Sequence, residues 1–267
     1  MAIPSVSSPQ HQINIDVVSA CAVQLFMRFN ETPLSSGTAF FLERAGRVYL
    51  VTNWHNVTGL NSITLEHLDK KHAAEPNRLQ WYSFIQRNLN RRALTTLEIF
   101  DDSGQPNWLE HPVHGHLVDV VCLEIPVMAA SNLFLLNVHA NGPWTTGVAD
   151  DVFILGYPLG ININLYPLWK RATVASEPDF NVDGLPKFLV DTATAAGMSG
   201  SPVLRRATGG ATGFGDFQQG VFPTSTVVGI YSGRVVSGNS LDAQLGIVWK
   251  VNAIHEIIDG AMKGKKR

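Results

Sequence analysis

The sequence predicts an all-β fold: two antiparallel six-stranded β-barrels, a candidate site in the cleft between them, and a C-terminal helix. Three observations lead there. Short apolar runs separated by turn residues succeed one another along the chain, with 23 glycines and 14 prolines spread among them, as in all-β domains. A looser stretch, residues 126–145, divides the runs into two sets. Near the end the spacing changes, and Ile254, Ile257, Ile258 and Met262 fall on one helical face. Closing each set into a barrel removes exposed strand edges, and the cleft between barrels is the natural place for a site.

Residues 1–14 read as a flexible arm. In Ala22–Phe29 the residues Val23, Leu25 and Met27 alternate with Ala22, Gln24 and Arg28, a strand period. Gly37–Leu42 and Arg47–Thr52 flank Glu43-Arg44-Ala45-Gly46, a hairpin signal. Asn61–Leu65, Leu79–Ile85, Leu94–Phe100 and Leu117–Ile125 are further runs within a first barrel over 15–130. Asp151–Tyr157, Trp169–Ala175, Phe188–Asp191, Pro202–Leu204, Thr226–Tyr231 and Leu245–Val251 supply a second over 131–251. Residues 252–267 are the helix and a basic, solvated KGKKR tail.

Apolar residues make up 45% of the 267, enough for a sizeable core, and charged residues only 16%. A formal charge of −2 provides no basic field for nucleic acid. No run approaches the ~18 apolar residues of a membrane span, and the N-terminus lacks a basic-then-apolar leader. Neither partner is expected. The two cysteines, Cys21 and Cys122, sit in apolar stretches and read as buried free thiols, which favours a cytoplasmic location.

Three segments carry chemistry. Thr52-Asn53-Trp54-His55-Asn56-Val57 follows an apolar strand, Val118-Asp119-Val120-Val121-Cys122-Leu123 is an acid opening an apolar strand, and Gly197-Met198-Ser199-Gly200-Ser201-Pro202 is a glycine-flanked serine before another. Acyl transfer needs a hydroxyl nucleophile, a base, and a buried carboxylate fixing the base's tautomer. Ser199, His55 and Asp119 supply them. Gly197 and Gly200 permit a tight turn that can aim the N–H groups of Gly197 and Ser199 at an oxyanion, worth roughly 3–4 kcal/mol per donor. His111, His114 and His116 crowd the segment before Asp119, but no third ligand of certain geometry follows, so no metal and no cofactor is assigned. Arg87, Arg91 and Arg92 read as a solvated turn.

TNWHNV, DVVCLEI and GMSGSPV, in that order, resemble the trypsin-like (chymotrypsin-fold) serine peptidases. They are closest in motif style to bacterial Deg-type peptidase domains, as are Gly156-Tyr157-Pro158-Leu159-Gly160 and the closing Gly246-Ile247-Val248-Trp249-Lys250-Val251. The resemblance implies a serine endopeptidase acting on protein or peptide substrates through an acyl-enzyme. His55 is then general base and acid, Asp119 orients it, Ser199 is the nucleophile, and Gly197 and Ser199 form the oxyanion hole.

The family's pocket-floor position falls on Ala193, with walls from Thr194, Tyr231, Ser232, Gly233 and Arg234 and space left by Gly246. With no Asp at the floor, basic P1 side chains are disfavoured, and Arg234 is either a solvated rim charge or a group that draws an acidic P1 side chain. Met198 replaces the Asp of the digestive relatives' zymogen switch, and Asn56 a usual disulfide cysteine. A stand-alone intracellular peptidase needs restraint, so a regulatory protein partner or narrow specificity is expected. Similar small bacterial proteins can act as effectors in multi-component defence systems. The Gly-rich stretch 205–223 is read as a surface loop or a gate. The alternatives are a non-catalytic peptide-binding module and an esterase on the same fold.

Overall fold

The computed structural model describes residues 14–193, 195–207, 224–234 and 244–267. The N-terminal half contributes β1 (Ala22–Phe29), β2 (Thr32–Arg44), β3 (Arg47–Thr52), β4 (Arg78–Ile85), β5 (Asn88–Glu98), β6 (Trp108–Glu110) and β7 (Val121–Glu124). The C-terminal half contributes β8 (Asp151–Gly156), β9 (Leu168–Val174), β10 (Lys187–Asp191), β11 (Pro202–Ala207), β12 (Thr224–Arg234) and β13 (Leu245–Lys250). Helices are α1 (Trp54–Thr58), α2 (Val127–Ala130), α3 (Leu136–His139) and α4 (Val251–Gly260), and β14 (Met262–Lys263) comes last.

The C-terminal half is the expected closed six-stranded barrel, in the order β10-β13-β12-β11-β8-β9. The N-terminal half departs from six strands: its sheet has eight, ordered β14-β6-β7-β3-β2-β1-β4-β5. It curls until Asn107 N–H, beside β6, donates to the Ile99 carbonyl beyond β5 at 2.9 Å. The β2–β3 hairpin forms as expected, its two-residue turn of Ala45 (φ 52) and Gly46 (φ 76) having the positive-φ pair that matches strand twist.

Asn61–Leu65 is a turn, not a strand. The Asn61 side-chain oxygen accepts the N–H groups of Ile63 (2.8 Å) and Thr64 (3.0 Å), a local bond that competes with a ladder. Strand β7 starts only at Val121, because Val118–Val120 make a tight turn closed by Val120 N–H to the Val118 carbonyl at 2.7 Å. The helix ends at Gly260, and Ala261 (φ 47) turns the chain so that Met262 joins a strand instead of the helical face. The tail is correspondingly not solvated throughout: β14 adds to β6. Arg92 also departs from a solvated turn, lying 3.4 Å over the Phe84 ring in a cation–π contact.

Each half has its own core, and a third cluster joins them. Phe40, Val51 and Cys122 from the N-terminal side pack there with Leu155, Leu204, Ile230 and Trp249, closed by Ile254 and Ile257 of α4. Cys21 and Cys122 are buried free thiols, and burial pushes Cys21 up to about 12.

Burial holds His111, His139 and His255 below the usual histidine range. At His111 desolvation outweighs the Glu256 carboxylate, while Arg87 and Arg44 reinforce burial at His139 and His255. The folded state therefore binds these protons less tightly than the unfolded chain. Their contribution is full above the unfolded value of ~6.5 and is lost as pH falls from there through the lower folded values. The urea midpoint should drop between about pH 7.5 and about pH 5.5, and His255→Gln should flatten that dependence; an unchanged slope in the variant contradicts the assignment.

Candidate active site

Strand β3 delivers the first group. Its last residue, Thr52, is buried and donates through Oγ1 to the Thr38 carbonyl at 2.8 Å. Asn53 then starts α1 and places His55 one residue inside it. Asn53 Nδ2 donates to the Asp119 carbonyl (2.7 Å), fixing the loop that carries the acid.

Asp119, 5% exposed, grips His55 twice: Oδ1 accepts the His55 backbone N–H at 2.9 Å and Oδ2 lies 2.7 Å from Nδ1. A carboxylate can only accept, so the imidazole proton sits on Nδ1 and Nε2 is left as a base. The Ser232 hydroxyl also donates to Asp119 Oδ2. Asp119 is thus held from both halves of the molecule.

Ser199 sits on the turn between β10 and β11. Gly197 (φ +90) and Gly200 (φ +87) occupy the left-handed side that glycine tolerates. Side chains there would also collide, a Cβ on Gly197 standing 2.3 Å from the Tyr157 carbonyl oxygen and one on Gly200 2.0 Å from that of Thr38. Met198, buried in the C-terminal core, pins the turn from below. Thr38 pins it from above, its N–H donating to the Ser199 carbonyl (2.8 Å) and its Oγ1 to that of Gly197 (2.9 Å). Among the described residues the N–H groups of Gly197 and Ser199 donate to no backbone carbonyl.

His55, Asn56, Gly197 and Ser199 line one cleft of about 340 Å³, with Leu34, Ser35 and Ser36 along one wall. Asn56 Nδ2 bridges the two sides, donating to Thr52 Oγ1 (2.9 Å) and to the Ser199 carbonyl (3.3 Å). The Ser199 hydroxyl makes no hydrogen bond to His55 among the described residues, a looseness common in substrate-free sites.

The expected pocket residues fare unevenly. Ala193 is exposed, Arg234 is exposed at the end of β12, Gly233 (φ +126) has open space around it, and Thr194 lies outside the described residues. So does most of the Gly-rich stretch, from 208 to 223. Ser232 turns toward Asp119. Gly246 does not leave room as expected: a Cβ there would meet Tyr231 Cε2 at 2.6 Å, so the Tyr231 ring fills that space. Tyr231 is buried, its hydroxyl has no hydrogen-bond partner among the described residues, and burial pushes its phenol up.

Of the three histidines, His111 and His114 lie with ring centroids 5.0 Å apart, but their ring nitrogens do not converge with those of His116. His111 Nε2 pairs with Glu256 Oε2 at 2.8 Å, and His116 Nδ1 meets the Ser62 carbonyl at 2.7 Å. No group of three metal-ligating side chains occurs among the described residues. Thr38, Asn53 and the Ser232–Asp119 contact were not assigned from sequence. Asn53, within the histidine motif, was the most accessible of them.

Two all-β halves meeting at a cleft lined by both define a trypsin-like double-barrel fold. The family model of the trypsin-like peptidase domain matches residues 37–213, and the chain belongs to that family of serine peptidases. A solved serine endoprotease from Yersinia pestis is similar in fold, with a TM-score of 0.50 at 14% identity over 93% of this chain and 67% of that one. The active form of the Rv3671c protease from M. tuberculosis aligns with a TM-score of 0.46 at 16% identity, over 98% and 97% of the two chains. No curated protein matches the sequence significantly.

Ser232→Ala removes one donor to a buried carboxylate, a bond class worth about 1.5–3 kcal/mol. Turnover of an ester reporter should fall roughly ten- to hundredfold with the fold intact by circular dichroism. Wild-type turnover in the variant would show the contact to be idle.

Proposed function

We propose that the protein is a serine endopeptidase with His55, Asp119 and Ser199 as its triad. The observation that carries this is the two-point grip of Asp119 on His55 beside a serine held on a left-handed glycine turn. Ser199 Oγ attacks the scissile carbonyl carbon while its proton passes to His55 Nε2. Asp119 stabilises the resulting imidazolium, and the N–H groups of Gly197 and Ser199 receive the oxyanion. The C–N bond then breaks, His55 returns the proton to the leaving amine, and a water molecule activated by His55 releases the acyl group.

An internal cut needs room on both sides of the bond. The cleft beside Ser199 shares Leu34, Asp69 and Ala74 with a neighbouring cavity of about 880 Å³, which supports a polypeptide continuing past the cut. Tyr231 filling the space at Gly246 supports small P1 side chains, and the absence of an acid at Ala193 still disfavours Lys and Arg. Buried unpaired thiols support a reducing, cytoplasmic setting, and no helix among the described residues is long and apolar enough to cross a membrane. We extend the proposal to control by a protein partner or by narrow substrate choice.

Intact-mass spectrometry after a fluorophosphonate probe should show one adduct, mapped to Ser199. It should be absent in Ser199→Ala and slowed by about six orders of magnitude in His55→Ala. An adduct elsewhere, or equal labelling of His55→Ala, overturns the triad. In a P1 scan Ala, Ser and Gly should lead, and Tyr231→Val should raise the ratio of large to small P1 by about tenfold or more. A wild-type preference for Lys, Arg or aromatic P1 contradicts the Tyr231 argument.

A further inference from the structure

The strand after α4 reaches the back of the histidine helix. Met262 pairs with Glu110 and Lys263 with Leu109, and Gly264 N–H donates to the Trp108 carbonyl at 2.9 Å. Gly264 lies against the Trp108 indole, where a Cβ would stand 2.2 Å from Nε1. The chain then brings Arg267 to Glu110. That carboxylate is 1% exposed, and its Oε1 accepts from Trp54 Nε1–H (3.0 Å), Trp108 Nε1–H (3.2 Å), Lys265 N–H (3.3 Å) and Arg267 Nη1 (3.3 Å). Its Oε2 lies 3.5 Å from both terminal nitrogens of the guanidinium, which sits 5.6 Å over the Trp54 ring.

Trp54 is fully buried and immediately precedes His55. Helix α1 has five residues and no side-chain cap, too few to hold its own geometry. Its start is fixed by neighbours: Asn53 on the Asp119 loop and Trp54 on Glu110. A buried carboxylate stripped of its countercharge must draw in water or a proton, and either disturbs the indole above it. We propose that Glu110, charge-balanced by Arg267, is a positioning residue for His55, so that the strand after α4 controls triad geometry; this rests on the peptidase reading of His55.

The test uses the full chain as wild type, Arg267→Ala, Arg267→Lys and the double variant Glu110→Gln/Arg267→Ala. It reads two quantities, the fluorophosphonate labelling rate of Ser199 and the far-downfield proton resonance of His55 Nδ1–H. Arg267→Ala should label about ten- to hundredfold more slowly, the scale of a ~1 Å misplacement, with the resonance shifted or broadened. Arg267→Lys should restore most of both, as should the double variant, in which no charge is left unpaired. An unmoved resonance with wild-type labelling in Arg267→Ala overturns the proposal. A wild type that never labels, with a resonance that still responds to Arg267→Ala, sinks the peptidase reading and leaves the positioning role standing. If Arg267→Ala does not fold, Arg267→Gln takes its place in both readings.

Discussion

The buried carboxylate of Asp119 is the constraint around which the molecule is arranged. Moving an ionised carboxylate out of water costs several kcal/mol unless its lone pairs are met by donors of good geometry. Those donors come from both halves: the His55 backbone and ring from α1 of the N-terminal half, the Ser232 hydroxyl from β12 of the C-terminal barrel. The halves cannot shift relative to each other without costing that carboxylate its Ser232 donor. The His55–Asp119 pair and the docking of the halves therefore meet at one carboxylate.

Other contacts across the cleft are subordinate to that arrangement and consistent with it. Thr38 on β2 holds the carbonyls on either side of Met198, and Asn56 reaches the Ser199 carbonyl from α1. Beneath them the shared apolar cluster, sealed by α4, keeps water away from the junction. Glycine allows the turn its two positive-φ positions but does not fix it there; three polar contacts and the Met198 anchor do so.

Legibility in the sequence followed the range of the interaction. The β2–β3 hairpin, the strands of the C-terminal barrel and the helix at Ile254–Ile258 depend on local alternation and turn chemistry, and the pattern predicts them well. The three segments bearing His55, Asp119 and Ser199 were visible as motifs, since each needs particular residues within a few positions. What escaped depends on contacts distant in sequence. Ser232 reads as part of a pocket wall until Asp119, more than a hundred residues away, is placed beside it. Gly246 reads as empty space until the Tyr231 ring is packed into it. The short run at Asn61 misled for the opposite reason: one side-chain oxygen outbid its apolar alternation. The tail read as solvated from its lysines alone, whereas Gly264 and Arg267 decide its course.

The two-residue strand β14 also bears on solubility. A sheet that does not close has two rims, and each is a row of unmet N–H and C=O groups on which another molecule's strand can grow. One rim, β5, is defended by exposed Arg91 and Glu98 and by half-buried Arg92. The other would be β6, flanked by Trp108 and a carboxylate with no solvent of its own, were it not covered by Met262 and Lys263. Lifting those two residues would bare the β6 edge, so the same short segment proposed to steady the histidine helix also covers a rim on which another strand could grow.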